Sequence, residues 1–256
     1  MKRNLIRQNL WEYVDPGDLR VIDARRRYEH AKDDLEGVDS AVLSADEMTE
    51  LKDLAWKYVK SDHCKIKNPF ALLALLFTLE QGLRVGELCA IKHADITNNG
   101  TVHICRMLRD QGTNCRGIIP YAKGYRDRMI PLSDASKGVI EYARHLQNKM
   151  GIDSEYLFSR DKDPLPYRAP GRTLTILCRE LKLPPRHIHS IRKTVTTVLV
   201  DSGCYSPATI AKIMGNSVEV IYKFYYFNRE DMQSICNSYT SALSSLYKDP
   251  NKPESQ

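Results

Sequence analysis

The sequence contains no apolar segment long enough to cross a membrane. Its longest apolar run, from Phe70 to Leu79, is interrupted by Thr78 and followed by Glu80-Gln81, whereas a membrane helix needs about 20 apolar residues. The first residues, Met-Lys-Arg-Asn-Leu-Ile-Arg-Gln, hold no apolar signal core. These absences predict a protein that stays inside the cell, in the cytoplasm, and has no membrane partner.

The sequence also lacks the patterns of a metal or cofactor site. Seven cysteines are scattered without any Cys-x-x-Cys pair, and an odd number in a chain without a secretion signal predicts free thiols. His63-Cys64 is an isolated pair of metal-ligand types, so a zinc site is not expected. There is no acidic pair with metal spacing, no Gly-rich phosphate loop and no Ser-His-Asp order. We therefore predict no metal and no other cofactor.

Positive charge is in modest excess and unevenly distributed. The formal net charge is +6, while residues 41–256 hold 30 Lys and Arg against 23 Asp and Glu. A basic body fits a polyanionic partner such as nucleic acid. Many basic proteins bind no nucleic acid, so charge alone does not decide the function.

The chain divides into a short leading segment and one main domain. Within residues 1–42, positions 1–10 are typical of a helix end, and Asp15 begins a polar stretch with an Arg25-Arg26-Arg27 run and an acidic cluster, which is typical of a connector. Ser44 followed by Glu47 is the signature of a helix capping box, so the main domain is expected at 43–247. The remaining residues, 248–256, are predicted to be a disordered tail.

The main domain is predicted to have an α+β fold that is mostly helical. Asn68-Pro69 and Gly82 bracket an apolar segment typical of a buried central helix. Strand patterns predict one small three-stranded antiparallel sheet, with residues 122–127 as the turn between its last two strands. The strands are expected at 101–108, 116–121 and 128–132; further helices are expected at 85–92, 133–150, 171–183, 188–201, 207–214, 218–227 and 229–247.

Five residues have side chains suited to displacement at a phosphodiester. Such a reaction needs a nucleophile, positive charge on the non-bridging oxygens, and a proton for the leaving oxygen. Arginine binds two phosphate oxygens through its planar fork, and a tyrosine beside cations can serve as the nucleophile. The residues that fit these roles without a metal are Arg84, Lys123, His189, Arg192 and Tyr225.

Each of these residues also has an ordinary structural interpretation. Arg84 could pair with a carboxylate at a helix joint, Lys123 could be a solvated turn residue, and Asn216 could be a helix C-cap beside Gly215. His187 competes with His189 for its role. Tyr222, Tyr225 and Tyr226 share a short segment with apolar residues, where core packing is the common role of tyrosine.

Together the motifs resemble the tyrosine recombinases, or phage-type integrases, over residues 43–247. Each motif is weak alone, but five in the family's order and spacing are specific. They are Gly82-Leu-Arg84-Val-Gly86-Glu-Leu88, Lys123 before Arg128-Met-Ile-Pro-Leu132, His189-Ser-Ile-Arg192-Lys-Thr194, Ile213-Met-Gly215-Asn216-Ser217, and Tyr225 ten residues after Gly215.

The resemblance implies the integrase catalytic fold and a role for each matching residue. Tyr225 would attack a DNA phosphate, leaving a 3′-phosphotyrosyl link and a free 5′-hydroxyl. Arg84 and Arg192 would stabilise the transition state, Lys123 would protonate the 5′ oxygen, and His189 would be the general base. The same spacing favours Tyr225 over Tyr226. The implied function is site-specific recombination that integrates or excises a mobile element in the bacterial cytoplasm.

The family also implies partners. They are double-stranded DNA, three further copies of the chain in a tetramer on paired sites, and a directionality factor. The last helix, with apolar Met232, Ile235, Leu243 and Leu246, would be exchanged between protomers.

Two departures from the family pattern keep other functions open. Asn216 stands where the family most often has histidine, which predicts slower chemistry rather than none. Residues 1–42 resemble only a remnant of the core-binding domain that usually precedes the catalytic domain, as in a fragment or a shortened form. The alternatives are a DNA-binding accessory protein that does not cut, and topoisomerase-like relaxation by the same tyrosine chemistry.

Overall fold

A computed structural model describes residues 42–61, 66–110, 116–121 and 127–222. Our predictions for residues 1–41, for the helix at 229–247 and for the tail at 248–256 concern segments outside these ranges. They stay predictions. Within the described residues, no helix combines the length and the apolar character that a membrane span requires.

The described chain is mostly helical, with four short strands in its first half. The helices are α1 Ala45–Val59, α2 Pro69–Gln81, α3 Val85–Cys89, α4 Asp134–Lys149, α5 Ala169–Glu180, α6 Ile188–Asp201, α7 Pro207–Met214 and α8 Val218–Ile221, with a single 3-10 turn at His93–Asp95. The strands are β1 Thr101–Ile104, β2 Met107–Asp110, β3 Arg116–Ile119 and β4 Arg128–Pro131. The predicted α+β fold class, dominated by helices, is confirmed.

Local sequence signals set several helix ends as predicted. Ser44 Oγ accepts a hydrogen bond from Glu47 N–H, and the Glu47 carboxylate accepts one from Ser44 N–H, which completes the capping box of α1. Asn68 caps α2 with Pro69 at its first position, and Gly82 ends the helix with φ of 61°. These short-range contacts explain why the boundaries are readable in the sequence.

The core is organised around α2. This helix is apolar on all sides, and almost every residue from Phe70 to Gln81 is buried. It packs against α1, α4, α5 and α6, which explains why no polar face is needed. A smaller apolar cluster joins α7 and α8 to α6 through Ile210, Met214 and Ile221. The end of α2 therefore lies among the helices that carry the candidate site.

The strands differ from the predicted arrangement. The stretch predicted as one strand, 101–108, forms two, and the strands pair as two separate antiparallel ladders, β1 with β4 and β2 with β3. The prediction of a single three-stranded sheet, with β3 and β4 joined as a hairpin, is wrong in this respect for the described residues. Register in the first ladder places Val102 opposite Ile130.

A close backbone contact joins β2 to α3 rather than to the first ladder. Gly86 in α3 lies against the carbonyl of Leu108 in β2, and a Cβ on this glycine would come within 2.5 Å of that oxygen. Between the two ladders, Arg106 forms an ion pair with Asp95, whose carboxylate is mostly buried. Strand β2 therefore packs on α3, a contact that no periodic pattern in the strand sequence encodes.

Candidate active site

Arg84 lies at the joint between α2 and α3. Gly82 ends α2 in the left-handed region, and a Cβ at this glycine would meet Val195 Cβ of α6 at 2.9 Å. Glycine is therefore required here both for its φ and for the close approach to α6. Arg84 follows with extended backbone, so its side chain projects from a sharp turn beside α6, as the sequence pattern predicted.

Arg192 is buried on α6, with 3% of its surface exposed. Its Nη1 donates to the Gly82 carbonyl at 3.0 Å, and its Nη2 donates to the Met214 carbonyl. A buried guanidinium group needs such acceptors because desolvation of a charge is costly. Arg192 therefore connects the C-terminal ends of α2 and α7.

Asn216 brings the two arginines together. Its Oδ1 accepts a hydrogen bond from Arg84 Nη2 at 3.0 Å and one from Arg192 Nη2 at 2.9 Å. Arg84 Nη2 also donates to the Gly215 carbonyl at 2.7 Å. Because guanidinium groups only donate, Asn216 directs its oxygen toward them. The departure from the family pattern therefore supplies an acceptor that the two arginines share.

A buried carboxylate lies beneath Arg84. Glu87 is 1% exposed, and its two oxygens accept from Arg128 Nη1 at 3.0 Å and Arg128 Nη2 at 2.7 Å. Arg84 Nη1 also donates to Glu87 Oε1 at 3.1 Å. Burial raises the pKa of the Glu87 carboxyl, but the hydrogen bonds and charge of Arg128, then the charges of Arg84 and Arg192, hold that pKa below its ordinary value. The carboxylate is therefore ionised within this cluster.

Sequence reasoning gave no role to Arg128, and none to Glu87 beyond that of a carboxylate partner for Arg84 at the helix joint, a contact that the structure shows. Glu87 had a usable signal, since it lies three residues after Arg84 across a helix start, where side chains meet. Arg128 had none. Its partners, Glu87 and the Ile213 carbonyl at 2.9 Å from Nε, lie 41 and 85 positions away.

His189 lies at the start of α6 and lines a cleft of about 550 Å³ together with Arg84 and Arg192. The histidine is exposed, and it lies one helical turn before Arg192. His187, the competing histidine, is the N-cap residue of α6 and is not among the described residues that line the cleft. Tyr167 and Met107 complete the opposite side.

A second cavity continues from this cleft. It has a volume of about 570 Å³ and shares Leu108, Arg109 and Tyr167 with the first. Arg168 and Arg172, at the start of α5, add positive charge to its lining, with Asp163 as an acidic neighbour. The two cavities together form a basic groove.

Two of the predicted site residues, Lys123 and Tyr225, lie outside the described residues, as does Tyr226. The described chain ends at Tyr222, which follows α8 and is 45% exposed. Among the described residues, no three His, Cys, Asp or Glu side chains come together as a metal site.

The described part of the site is suited to binding an anion. Two guanidinium groups at one edge of a cleft supply fixed positive charge at every working pH. Their hydrogen bonds to Asn216 and to backbone carbonyls hold them in place, and preorganised charge of this kind stabilises a phosphoryl transition state. A histidine beside them can move a proton.

The sequence matches the model of the phage integrase family over residues 42–230. No curated protein matches it at a significant level. The fold is similar to that of a fragment of the Tn1549 transposon integrase, solved in complex with transposon right end DNA, with a TM-score of 0.65 and 18% identity. That alignment covers 79% of this chain and 66% of the solved one.

Two other solved structures show the same fold. XerH site-specific recombinase, bound to its difH substrate, aligns with a TM-score of 0.58 and 15% identity over 82% of this chain and 55% of that one. A lambda integrase fragment, a dimer bound to a COC′ core site, aligns with a TM-score of 0.53 and 16% identity over 74% and 61%. This chain thus spans less than two thirds of the length of the solved proteins it matches.

Proposed function

This chain belongs to the phage integrase family, and on that premise we propose that it is a site-specific DNA recombinase. It cleaves and rejoins DNA through a 3′-phosphotyrosyl intermediate and so integrates or excises a mobile element in the bacterial cytoplasm. The observation that carries the proposal is the convergence of Arg84 and Arg192 on Asn216 Oδ1, beside a cleft that His189 also lines.

The proposed reaction exchanges one phosphoester for another. The phenolic oxygen of Tyr225 forms a bond to the DNA phosphorus while the bond from phosphorus to the 5′ oxygen breaks. His189 accepts the tyrosine proton, and Lys123 donates a proton to the departing 5′ oxygen. Arg84 and Arg192 stabilise the charge that develops on the non-bridging oxygens. Rejoining is the same exchange in reverse, so neither a cofactor nor an external energy source is consumed.

The proposed partner is double-stranded DNA. The Tn1549 integrase fragment and XerH were solved with DNA, and the basic groove of this chain offers a path for the backbone on either side of the cleaved phosphate. Arg109, Arg168 and Arg172 line this path. We further propose a tetramer on paired sites, with the C-terminal helix exchanged between protomers, and control by a directionality factor.

Asn216 favours a second candidate, a DNA-binding accessory protein that does not cleave. The family's usual histidine can titrate, whereas an amide cannot, and the Oδ1 of Asn216 is occupied by the two arginines. Topoisomerase-like relaxation is a third candidate with the same chemistry. Relaxation of supercoiled DNA that lacks any defined site would favour it.

Covalent trapping on a nicked suicide substrate tests the proposal. The wild-type protein should form a protein–DNA adduct that survives denaturation, and mass spectrometry should locate the phosphate on Tyr225. Tyr225→Phe should form no adduct and still bind DNA, while Tyr226→Phe should form it. Binding without any adduct in the wild type would support the accessory protein instead. An adduct that persists in Tyr225→Phe and disappears in Tyr226→Phe would move the nucleophile to Tyr226.

A further inference from the structure

Arg128 connects three parts of the site through one guanidinium group. From the first residue of β4, its Nη1 and Nη2 form a two-pronged pair with Glu87 of α3 at 3.0 and 2.7 Å. Its Nε donates to the carbonyl of Ile213 in the last turn of α7 at 2.9 Å. A planar fork of this kind fixes direction as well as distance. The site therefore has a rigid link between α3 and the end of α7.

The same guanidinium group supports the turn that follows α7. Gly215 has φ of 65°, and a Cβ there would lie 2.8 Å from Arg128 Cζ and 2.9 Å from Nη1. The glycine backbone therefore packs directly on the guanidinium group. This turn presents the Gly215 carbonyl to Arg84 at 2.7 Å, and it carries Asn216, the acceptor shared with Arg192.

We propose that Arg128 is a positioning residue that sets the geometry of both arginines at the reacting phosphate. It acts on Arg84 from two sides, through Glu87 and through the Gly215 carbonyl, and on Arg192 through the turn at 213–216. A buried ion pair adds little stability over an apolar pair of equal size. The directional contacts are thus the main effect of the pair. The role in cleavage rests on the proposed function.

A double-mutant cycle on the cleavage rate separates positioning from general stability. Arg128→Lys keeps the charge but loses the fork, and a small misplacement of catalytic groups by a substitution outside the reacting centre costs on the order of 10- to 100-fold in rate. Single-turnover adduct formation should slow by that factor with little change in DNA affinity. In an Asn216→Ala background, where the shared acceptor is already missing, the same substitution should slow cleavage by a clearly smaller factor. Equal factors in both backgrounds would overturn the proposal.

Arg106→Lys is the matched control. Arg106 also pairs with a mostly buried carboxylate, Asp95, and this ion pair does not involve the turn at 213–216. Arg106→Lys should leave the cleavage rate within about twofold of wild type, because the ion pair of Arg106 with Asp95 shares no partner with Arg84, Arg192 or Asn216. If Arg128→Lys fails to fold, the combined Glu87→Leu and Arg128→Met replacement removes both charges and keeps packing. A folded double variant that cleaves at the wild-type rate would overturn the proposal.

The positioning role of Arg128 can also be tested in the protein without DNA, even if cleavage is never observed. The backbone amides of Gly215 and Asn216 both donate to the Ala211 carbonyl, and their ¹⁵N–¹H signals report the turn geometry. Arg128→Lys should shift both signals, and Arg106→Lys should leave them in place. No adduct in wild type would defeat the proposed function, whereas unshifted amide signals in Arg128→Lys would defeat the positioning role.

Discussion

Arg84 and Arg192, from separate motifs, donate hydrogen bonds to one atom, Asn216 Oδ1, at 3.0 and 2.9 Å. Two guanidinium groups this close repel each other. The shared oxygen, the Gly215 and Met214 carbonyls and the Glu87 carboxylate offset that repulsion. The protein thus holds two positive charges together before any phosphate arrives, which is what preorganised transition-state stabilisation requires.

A negative charge introduced at position 216 should slow cleavage without lowering the stability of the fold. Asn216→Asp keeps an acceptor for both arginines and adds a negative charge, so stability should be equal to or above that of wild type. Cleavage should fall by about 100-fold or more, because the new charge opposes the phosphate and neutralises the arginines. Asn216→Ala should lose stability by about 1–3 kcal/mol. Single-turnover trapping and urea unfolding measure the two effects; an Asp variant that cleaves at the wild-type rate would contradict this account.

The stability that Glu87 contributes should depend on pH. Its pKa is lower in the folded protein than its ordinary value of 4.5, so the contribution is present above about 4.5 and is lost as pH falls through the folded value. At pH 7, Glu87→Gln should cost about 3–5 kcal/mol, because Arg128 is left buried without a carboxylate. The difference in the free energy of unfolding between Glu87→Gln and wild type should become progressively smaller below pH 4.5. Urea unfolding of both proteins from pH 7 to pH 3 measures it, and a constant difference would rule out this linkage.

Gly215 and Gly203 have nearly the same left-handed backbone conformation, so alanine substitutions at the two positions can be compared directly. Their φ values are 65° and 63°, but a Cβ at Gly203 would meet nothing within 4 Å. Gly203→Ala should therefore cost only the left-handed strain of about 1–2 kcal/mol. Gly215→Ala should cost about 1–3 kcal/mol more, because the methyl group would press on Arg128, and it should slow cleavage. Thermal unfolding and trapping of both variants test this. Equal losses of stability would show that the Arg128 side chain moves away from the added methyl group without an energetic penalty.

The basic groove should contribute to DNA affinity through charge. Each of Arg168→Gln and Arg172→Gln should weaken binding for all sequences alike and reduce the slope of log K against log salt by about 1. Lys137→Gln is the control, since that lysine lines a separate cavity and pairs with Asp134. Fluorescence titrations across a salt series measure the slopes. Unchanged slopes in both arginine variants would place the DNA path elsewhere.

Much of the fold could be predicted because its signals are local. The capping box of Ser44 and Glu47, Pro69 at the first position of α2 and Gly82 just after its end all act within one helical turn. The apolar run between them was sufficient to predict a buried helix. The sequence also predicted two arginines for a phosphate site, Arg84 and Arg192, and the structure brings them together on Asn216 Oδ1.

Long-range contacts account for what could not be predicted. Strand β2 pairs with β3 and packs on α3 through the approach of Leu108 to Gly86, a contact between segments with no common pattern. Taken by itself in the sequence, Asn216 next to Gly215 is typical of a helix C-cap. Its role as a bridge appears only because the end of α7 lies beside both Arg84 and Arg192.

The sequence by itself determined the fold class, the family, the candidate residues and most helices of the described residues, since capping, periodicity and motif order act over short stretches of chain. Only the tertiary structure decided that Glu87, Arg128 and Gly215 form the support beneath the two arginines. Apart from the contact of Glu87 with Arg84, three positions away, their contacts join residues 41 to 131 positions apart. Such contacts depend on how helices and strands pack, and packing is a property of the folded chain that no local pattern records.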